Sequence, residues 1–190
     1  MSNKKVTIPI IKEFNPCQSG LNNLIKHYPK LNMLMSEFLA LEQIPYDDKI
    51  WLTNNIVDRI ILKQWAVECA EQVLSNYNEL FPKDKRVTDC IETTKRYLEG
   101  NESIMNVNTA KSAARSAAKS TESATTAWGA KSAAMSAAWA AESALYNTGW
   151  GAESAAAWAA ESAFIKVSKF EQNNINLSLL IALIDNFKGD

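Results

Sequence analysis

The chain predicts an all-α multi-helix bundle whose C-terminal half is an Ala/Ser-rich degenerate helical repeat. Three observations carry this. Extended alternation of β-branched residues and Asn-Gly or Asp-Gly hairpin turns are missing. Apolar residues instead recur at helical spacing between short Pro and Gly punctuation. And "AKSAARSAAKSTESA" (110–124), "AKSAAMSAAWAAESA" (130–144) and "AESAAAWAAESA" (152–163) are copies of one unit, the third shorter by three residues, just under one helical turn.

Taken in order, "NPCQSGLNNLIKHY" starts at Asn15-Pro16 and brings Leu21, Leu24 and Ile25 onto one helix face. "PKLNMLMSEFLALEQ" follows Pro29 with Leu31, Leu34, Met35, Phe38 and Leu41, close to an i, i+3, i+4, i+7 pattern, and predicts a second helix packed on the first. In "IPYDDKIWL" Asp47 or Asp48 is an N-cap candidate, its carboxylate accepting free amide hydrogens of a helix through Trp51 and Ile56, with a break near Asn54-Asn55. "LKQWAVECAEQVLSNYNELF" is amphipathic: Trp65, Ala66, Cys69, Ala70, Val73, Leu74 and Tyr77 share a face opposite Glu68, Glu71, Gln72 and Asn76. Pro82 stops it. "KDKRVTDCIETTKRYLEG" then turns Val87, Cys90, Ile91, Thr94 and Leu98 inward, and Gly100 ends it in a left-handed conformation.

The repeat predicts three helices, because alanine has the best helix propensity, with breaks at Gly129 and at Gly149 and Gly151. A face of Ala113, Ala117, Ser120 and Ala124 has no side-chain thickness, so a neighbouring backbone comes close. Trp128, Trp139, Trp150 and Trp158, with Tyr146 and Phe164, are expected to fill those thin faces. Serines 112, 116, 123, 132, 136, 143, 154 and 162 are expected to bond the carbonyl one turn back when buried. "INLSLLIALIDNF" supplies a last helix that caps the core.

Composition bounds the function. Among 190 residues the net charge is −1, so no DNA, RNA or anionic-membrane surface is expected. The longest apolar run, "LLIALI" at 179–184, is far short of the roughly 18 to 20 residues that cross a bilayer, and no secretion signal is visible. Cys17, Cys69 and Cys90 lack metal-ligand spacing and are expected to be buried free thiols in a cytoplasmic protein. The expected organisation is an N-terminal helical region, 1–60, and a helical domain, 61–190, holding the repeats at 110–163, together one compact unit.

Catalytic chemistry finds little footing. The sole histidine, His27, falls at a helix end where its charged form suits the C-terminal dipole. No phosphate loop or metal motif occurs; Asp47, Asp48, Asp58, Glu68 and Glu71 could supply paired carboxylates, but Asp47 and Asp48 are explained as caps and Glu68 and Glu71 as a wet face. No enzyme activity, cofactor or metal is therefore expected. A binding constellation is available in the repeat. Lys111, Arg115 and Lys119 stand at i, i+4, i+8 in the first unit, where the second has Lys131, Met135 and Trp139. This change places the first unit at the periphery and the second nearer the core or a pocket wall. Lys111, Arg115, Lys119 and Lys131 with Trp128, Trp139 and Trp158 form a candidate basic and aromatic site for a small anionic nucleotide; a solvated helix face explains the same lysines without a ligand.

The run "KQWAVECAEQVLSNYNELFPKDKRVTDCIETTKRYLEG", followed by alanine-rich helices, resembles the immunity-five-like family of bacterial and phage-related immunity proteins. The residues that carry the likeness are Cys69, Ala70, Val73, Leu74, Pro82, Asp84, Arg86, Ile91, Arg96, Leu98 and Gly100, and "NPCQSGLNNLIKHYP" with "PYDDKIWL" resembles the companion N-terminal region. It departs from the family in lacking histidines within the alanine-rich helices and in having Val87 where a proline is common. The resemblance implies a helical, non-catalytic protein that neutralises a toxin or defence effector by occupying it. Two alternatives from other classes are a sponge for a cyclic-nucleotide or cyclic-ADP-ribose-type signal and a helical assembly module that forms homo-oligomers.

Overall fold

In the computed structural model residues 3–121, 127–146, 149–163 and 168–187 are described, and over them the protein is an all-α multi-helix bundle with one small two-stranded sheet. The expected succession of helices is preceded by β1 (Lys5–Thr7), which pairs antiparallel with β2 (Asn32–Leu34), Val6 opposite Met33. Between them lie α1 (Ile8–Glu13) and α2 (Gln18–His27). The helix expected after Pro29 is therefore corrected: Asn32–Leu34 is strand, and only α3 (Met35–Leu39) is helical. Here tertiary pairing overrides a helical apolar spacing, since Val6 and Met35 are both fully buried at this sheet.

Two local expectations are also corrected. In α4 (Tyr46–Ile56) Pro45 is the N-cap residue, so Asp47 and Asp48 lie inside the first turn, where their charge still complements the helix dipole. That helix runs through Asn54-Asn55 unbroken. Cys17 is exposed rather than buried, its Sγ accepting from Gly20 N at 3.3 Å to cap α2. Cys69 and Cys90 are buried.

The rest of the bundle comprises α5 (Arg59–Asn78), α6 (Arg86–Leu98), α7 (Ile104–Ser120), α8 (Trp128–Leu145), α9 (Gly149–Ala163) and α10 (Lys169–Asn186). The three Ala/Ser-rich units fall on α7, α8 and α9; Ser123, Ala124 and Phe164 lie outside the described residues. Helix α8 is central, packed against α5, α6, α7 and α9. Its buried residues are Gly129, Ala130, Ser132, Ala133, Ala134, Ser136, Ala137, Ala138, Ala140, Ala141, Ser143 and Ala144, all of them small.

Thin faces here meet thin faces, which corrects the expectation that the tract tryptophans fill them. Trp128 and Trp150 are exposed, at 51% and 75%, and Trp139 and Trp158 are half-buried. The volume comes from α5 instead, where Ile61, Leu62, Trp65 and Tyr77 are buried, and from Leu180 and Ile184 of α10. The glycines are likewise inside helices rather than between them. A Cβ on Gly151 would lie 2.8 Å from Ser143 Cα and N, so α9 rests on the backbone of α8. One on Gly149 would lie 2.5 Å from Asn54 Oδ1 of α4.

Of the four buried serines on α8 and α9, Ser136 and Ser162 cross between helices instead of bonding one turn back, while the Ser132 and Ser143 hydroxyls have no hydrogen-bond partner among the described residues. Ser136 Oγ donates to Ala155 O at 2.8 Å, and Ser162 Oγ donates to Gly129 O at 2.7 Å, tying α8 to α9 in both directions. Asn76 of α5 donates to Ser162 Oγ at 3.0 Å. Trp65 Nε1 donates to Asn176 O at 2.7 Å and Asn176 Nδ2 to Ala156 O at 3.2 Å, joining α5, α10 and α9. Exposed Ser112 keeps the expected local bond, to Asn108 O at 2.9 Å.

A second polar hub sits at the α5–α6 turn. Asp84 accepts from the Tyr77 hydroxyl at 2.7 Å and from Arg86 Nε at 2.9 Å, while the Arg86 guanidinium reaches Ser116 and Ser120 of α7 at 3.3 and 3.1 Å. Those bonds, Arg86 first, hold the Asp84 carboxyl well below the usual carboxylate range, and burial together with Asp84 pushes the Tyr77 phenol up to about 12. Helix α6 ends as expected, with Gly100 at φ 79°.

Two outcomes are expected. Gly151→Ala should lower stability by about 1–3 kcal/mol through overpacking against α8, whereas Ala157→Ser on the exposed side of α9 should stay within about 0.5 kcal/mol; urea unfolding compares them, and equal stabilities would mean that the two helices do not touch as described. The depressed Asp84 stabilises the folded state above its unfolded value and ceases to do so as pH falls through its folded value. Asp84→Asn should therefore cost roughly 1.5–3 kcal/mol at neutral pH and flatten the decline in stability below about pH 4; an unaltered acid slope in denaturant titrations would count against the hub.

Candidate functional site

Helix α8 is buried on every side but one. The residues that reach solvent from it, wholly or partly, are Trp128, Lys131, Met135, Trp139, Glu142 and Leu145, followed by Tyr146 at its C-cap. Positions 128, 131, 135, 139, 142 and 146 follow the 3- and 4-residue steps of one helix stripe. Because the remaining surface of α8 is committed to small-residue packing, its large side chains stand together on that stripe.

Helix α7 lays its basic residues beside it. Lys111 Nζ is 2.9 Å from Glu142 Oε2 and 5.3 Å from the Tyr146 ring centre. Arg115 NH2 is 3.2 Å from the same carboxylate oxygen, and its guanidinium lies 5.7 Å from the Trp139 ring centre. Lys131 Nζ is 5.8 Å from the ring of Trp128. All three separations fall within the range of cation–π attraction, worth about 0.5–1 kcal/mol each where exposed. The Trp139 indole N–H is buried without a hydrogen-bond partner among the described residues, a cost that the ring's contact with Arg115 offsets only in part.

The structure thus brings together Lys111, Arg115, Lys131, Trp128 and Trp139 along the α7–α8 face. Lys119, at the exposed end of α7, and Trp158, half-buried on α9, make none of these contacts. The stripe on α7 is not uniformly solvated: the Lys111 side chain is only 9% exposed, and Arg115 is 42% exposed. Sequence reasoning did not single out Glu142, Met135 or Tyr146 for the site. Their signal was the inverse of ordinary amphipathicity: in a helix of Gly, Ala and Ser, the few large residues mark the outward stripe. One carboxylate, Glu142, faces two cations, which leaves the cluster net positive and orders the long side chains beside the rings.

Nucleophilic chemistry is disfavoured at the two buried thiols. Burial pushes Cys90 up to about 12 and Cys69 well above the ordinary thiol value. Among the described residues no cluster of His, Cys, Asp and Glu could hold a metal ion, and no helix is long and apolar enough to cross a membrane.

The chain matches the Imm-5 like putative immunity protein family over residues 53–148, half of its length, and belongs to that family. No curated protein and no solved structure matches it. The matched segment runs from the end of α4 to the end of α8, and so contains the Asp84 hub and the α7–α8 stripe.

The shared carboxylate makes a stability test. Glu142→Gln should destabilise by about 1–3 kcal/mol, discounted from a fully buried pair because Arg115 is 42% exposed. Adding Lys111→Met should restore most of that loss by removing the stranded charge. Urea unfolding of the single and double variants measures this, and a double variant no more stable than Glu142→Gln would show that Lys111 does not depend on Glu142.

Proposed function

We propose that this member of the immunity family is a non-catalytic binding protein that neutralises a toxin or defence effector by occupying it, and that the α7–α8 face is the surface it uses. Family membership supports the class of partner. The observation that carries the site is the composition of the face: Trp128, Met135, Trp139 and Tyr146 on the one open side of α8, with Arg115 of α7 beside them, are the residue types enriched at protein interfaces.

The mechanism is steric and electrostatic. The bundle behind α8 is closely packed, so the face is presented without rearrangement and little ordering entropy is lost on docking. Trp128 and Tyr146, 51% and 49% exposed, offer ring area at the two ends of the stripe, and Arg115 with the half-buried Trp139 forms its middle. The excess positive charge favours an acidic patch on the partner.

Trp128→Ala and Arg115→Glu should each weaken capture of the partner by tenfold or more, about 1.4 kcal/mol, while leaving the thermal midpoint of the free protein within a few degrees. The measurement is affinity purification of wild type and variants, followed by co-expression of each captured protein to test rescue of growth. Capture and rescue that are indifferent to both variants would remove this face from the mechanism. A rise in thermal midpoint with a cyclic nucleotide that Arg115→Glu abolishes would replace the protein partner by a nucleotide signal.

A further inference from the structure

A cavity of about 260 Å³ lies between α2 and α4, and every residue lining it precedes the segment that matches the immunity family. Ile11, Leu24, Phe38, Ile44 and Leu52, all buried, supply its apolar wall, and Trp51 adds a half-buried ring. A mainly apolar cavity with a few convergent polar groups is the usual form of a small-molecule site.

The titratable groups at this cavity are acids only. Asp47, Asp48 and the Cys17 thiol line it, and no Lys, Arg or His does. Asp48 reaches from α4 to α2, where a Cβ on Gly20 would lie 3.1 Å from its Oδ1. The Gly20 amide nevertheless donates to Cys17 Sγ, at 3.3 Å, and not to Asp48. Neither aspartate carboxylate has a hydrogen bond or ion pair with the described residues. Burial, and after it the charge of Asp47, raises the Asp48 pKa, and no neighbouring cation offsets them. The dipole of α4 favours acids in its first turn but supplies no counter-charge.

These features select the charge of a ligand. An ammonium is attracted by both carboxylates and by the face of the Trp51 ring, which has no cation over it among the described residues. A neutral molecule gains only the apolar wall, and an anion is repelled.

We infer that the α2–α4 cavity binds a small monoammonium compound with an apolar body, its ammonium at Asp47 and Asp48 and its body along Leu24, Phe38 and Leu52. This site is separate from the α7–α8 face and does not depend on the partner bound there.

Octylammonium, octan-1-ol and octanoate, which share a chain and differ in charge, are the probes. Titrated calorimetrically into the full chain at neutral pH, octylammonium should bind roughly tenfold or more tightly than the alcohol, and octanoate more weakly than either. The double variant Asp47→Asn, Asp48→Asn should bind octylammonium and the alcohol equally, its retained affinity for the alcohol showing that the cavity is intact. Leu21→Trp fills the cavity from the α2 side and should abolish binding of both, with a cooperative thermal transition showing that it is folded. Equal affinities in the wild type, no binding of octylammonium, a preference that survives the double variant, or octylammonium binding that survives Leu21→Trp would each overturn the assignment.

Discussion

The contact between α8 and α9 is the constraint on which the bundle depends. At Gly151 one helix lies against the backbone of the other, leaving no room for even a methyl group. A helix that approaches this closely can carry only Gly, Ala and Ser on the facing side. Helix α8 is packed against four neighbours, α5, α6, α7 and α9, and small residues spread round most of its circumference. Alanine in bulk costs nothing in helix propensity, and serine adds a hydroxyl short enough to reach a neighbouring carbonyl, as Ser136 and Ser162 do.

The same constraint creates the candidate surface. Large residues excluded from the packed faces of α8 have one place left, and Trp128, Met135, Trp139 and Tyr146 all occupy it. Helix α7, held to the α5–α6 turn through Arg86, Ser116 and Ser120, sets Lys111 and Arg115 alongside. The hub at Asp84 therefore does more than close a turn: it fixes the position of the helix that supplies the positive charge. Several residues that carry the family likeness, Asp84 and Arg86 among them, are explained by this positioning and need no contact with a ligand.

Much of the bundle was legible because its signals are local. The helical periods of α5 and α6, the stop near Pro82 and the left-handed Gly100 follow from residue type and spacing alone. What was not legible depends on neighbours distant in sequence. The β1–β2 pair joins residues nearly thirty positions apart, so the spacing around Leu34 and Met35 suggested helix where pairing to Val6 gives strand. The tryptophans were misplaced for a related reason: a thin helix face needs something against it, and sequence cannot say whether that is a ring or another thin face. The change from Lys119 to Trp139 between equivalent positions did mark the α8 stripe, but as the outward side of a central helix. The pairing of Glu142 with Lys111 and Arg115 joins α7 to α8 and is invisible to spacing within either.

The extent of the family match bears on what the functional unit must be. Residues 53–148 end just before α9, yet α9 covers much of the Ala/Ser surface of α8, and the acceptor of Ser136 is Ala155. Without α9 that apolar surface would face water, and Gly129 O would lose the hydroxyl of Ser162. Helix α10 in turn closes over α5 and α9 through Asn176, bonded to Trp65 and Ala156. The α7–α8 face is thus displayed by the matched segment, while the helix that carries it is covered from behind by residues beyond that segment.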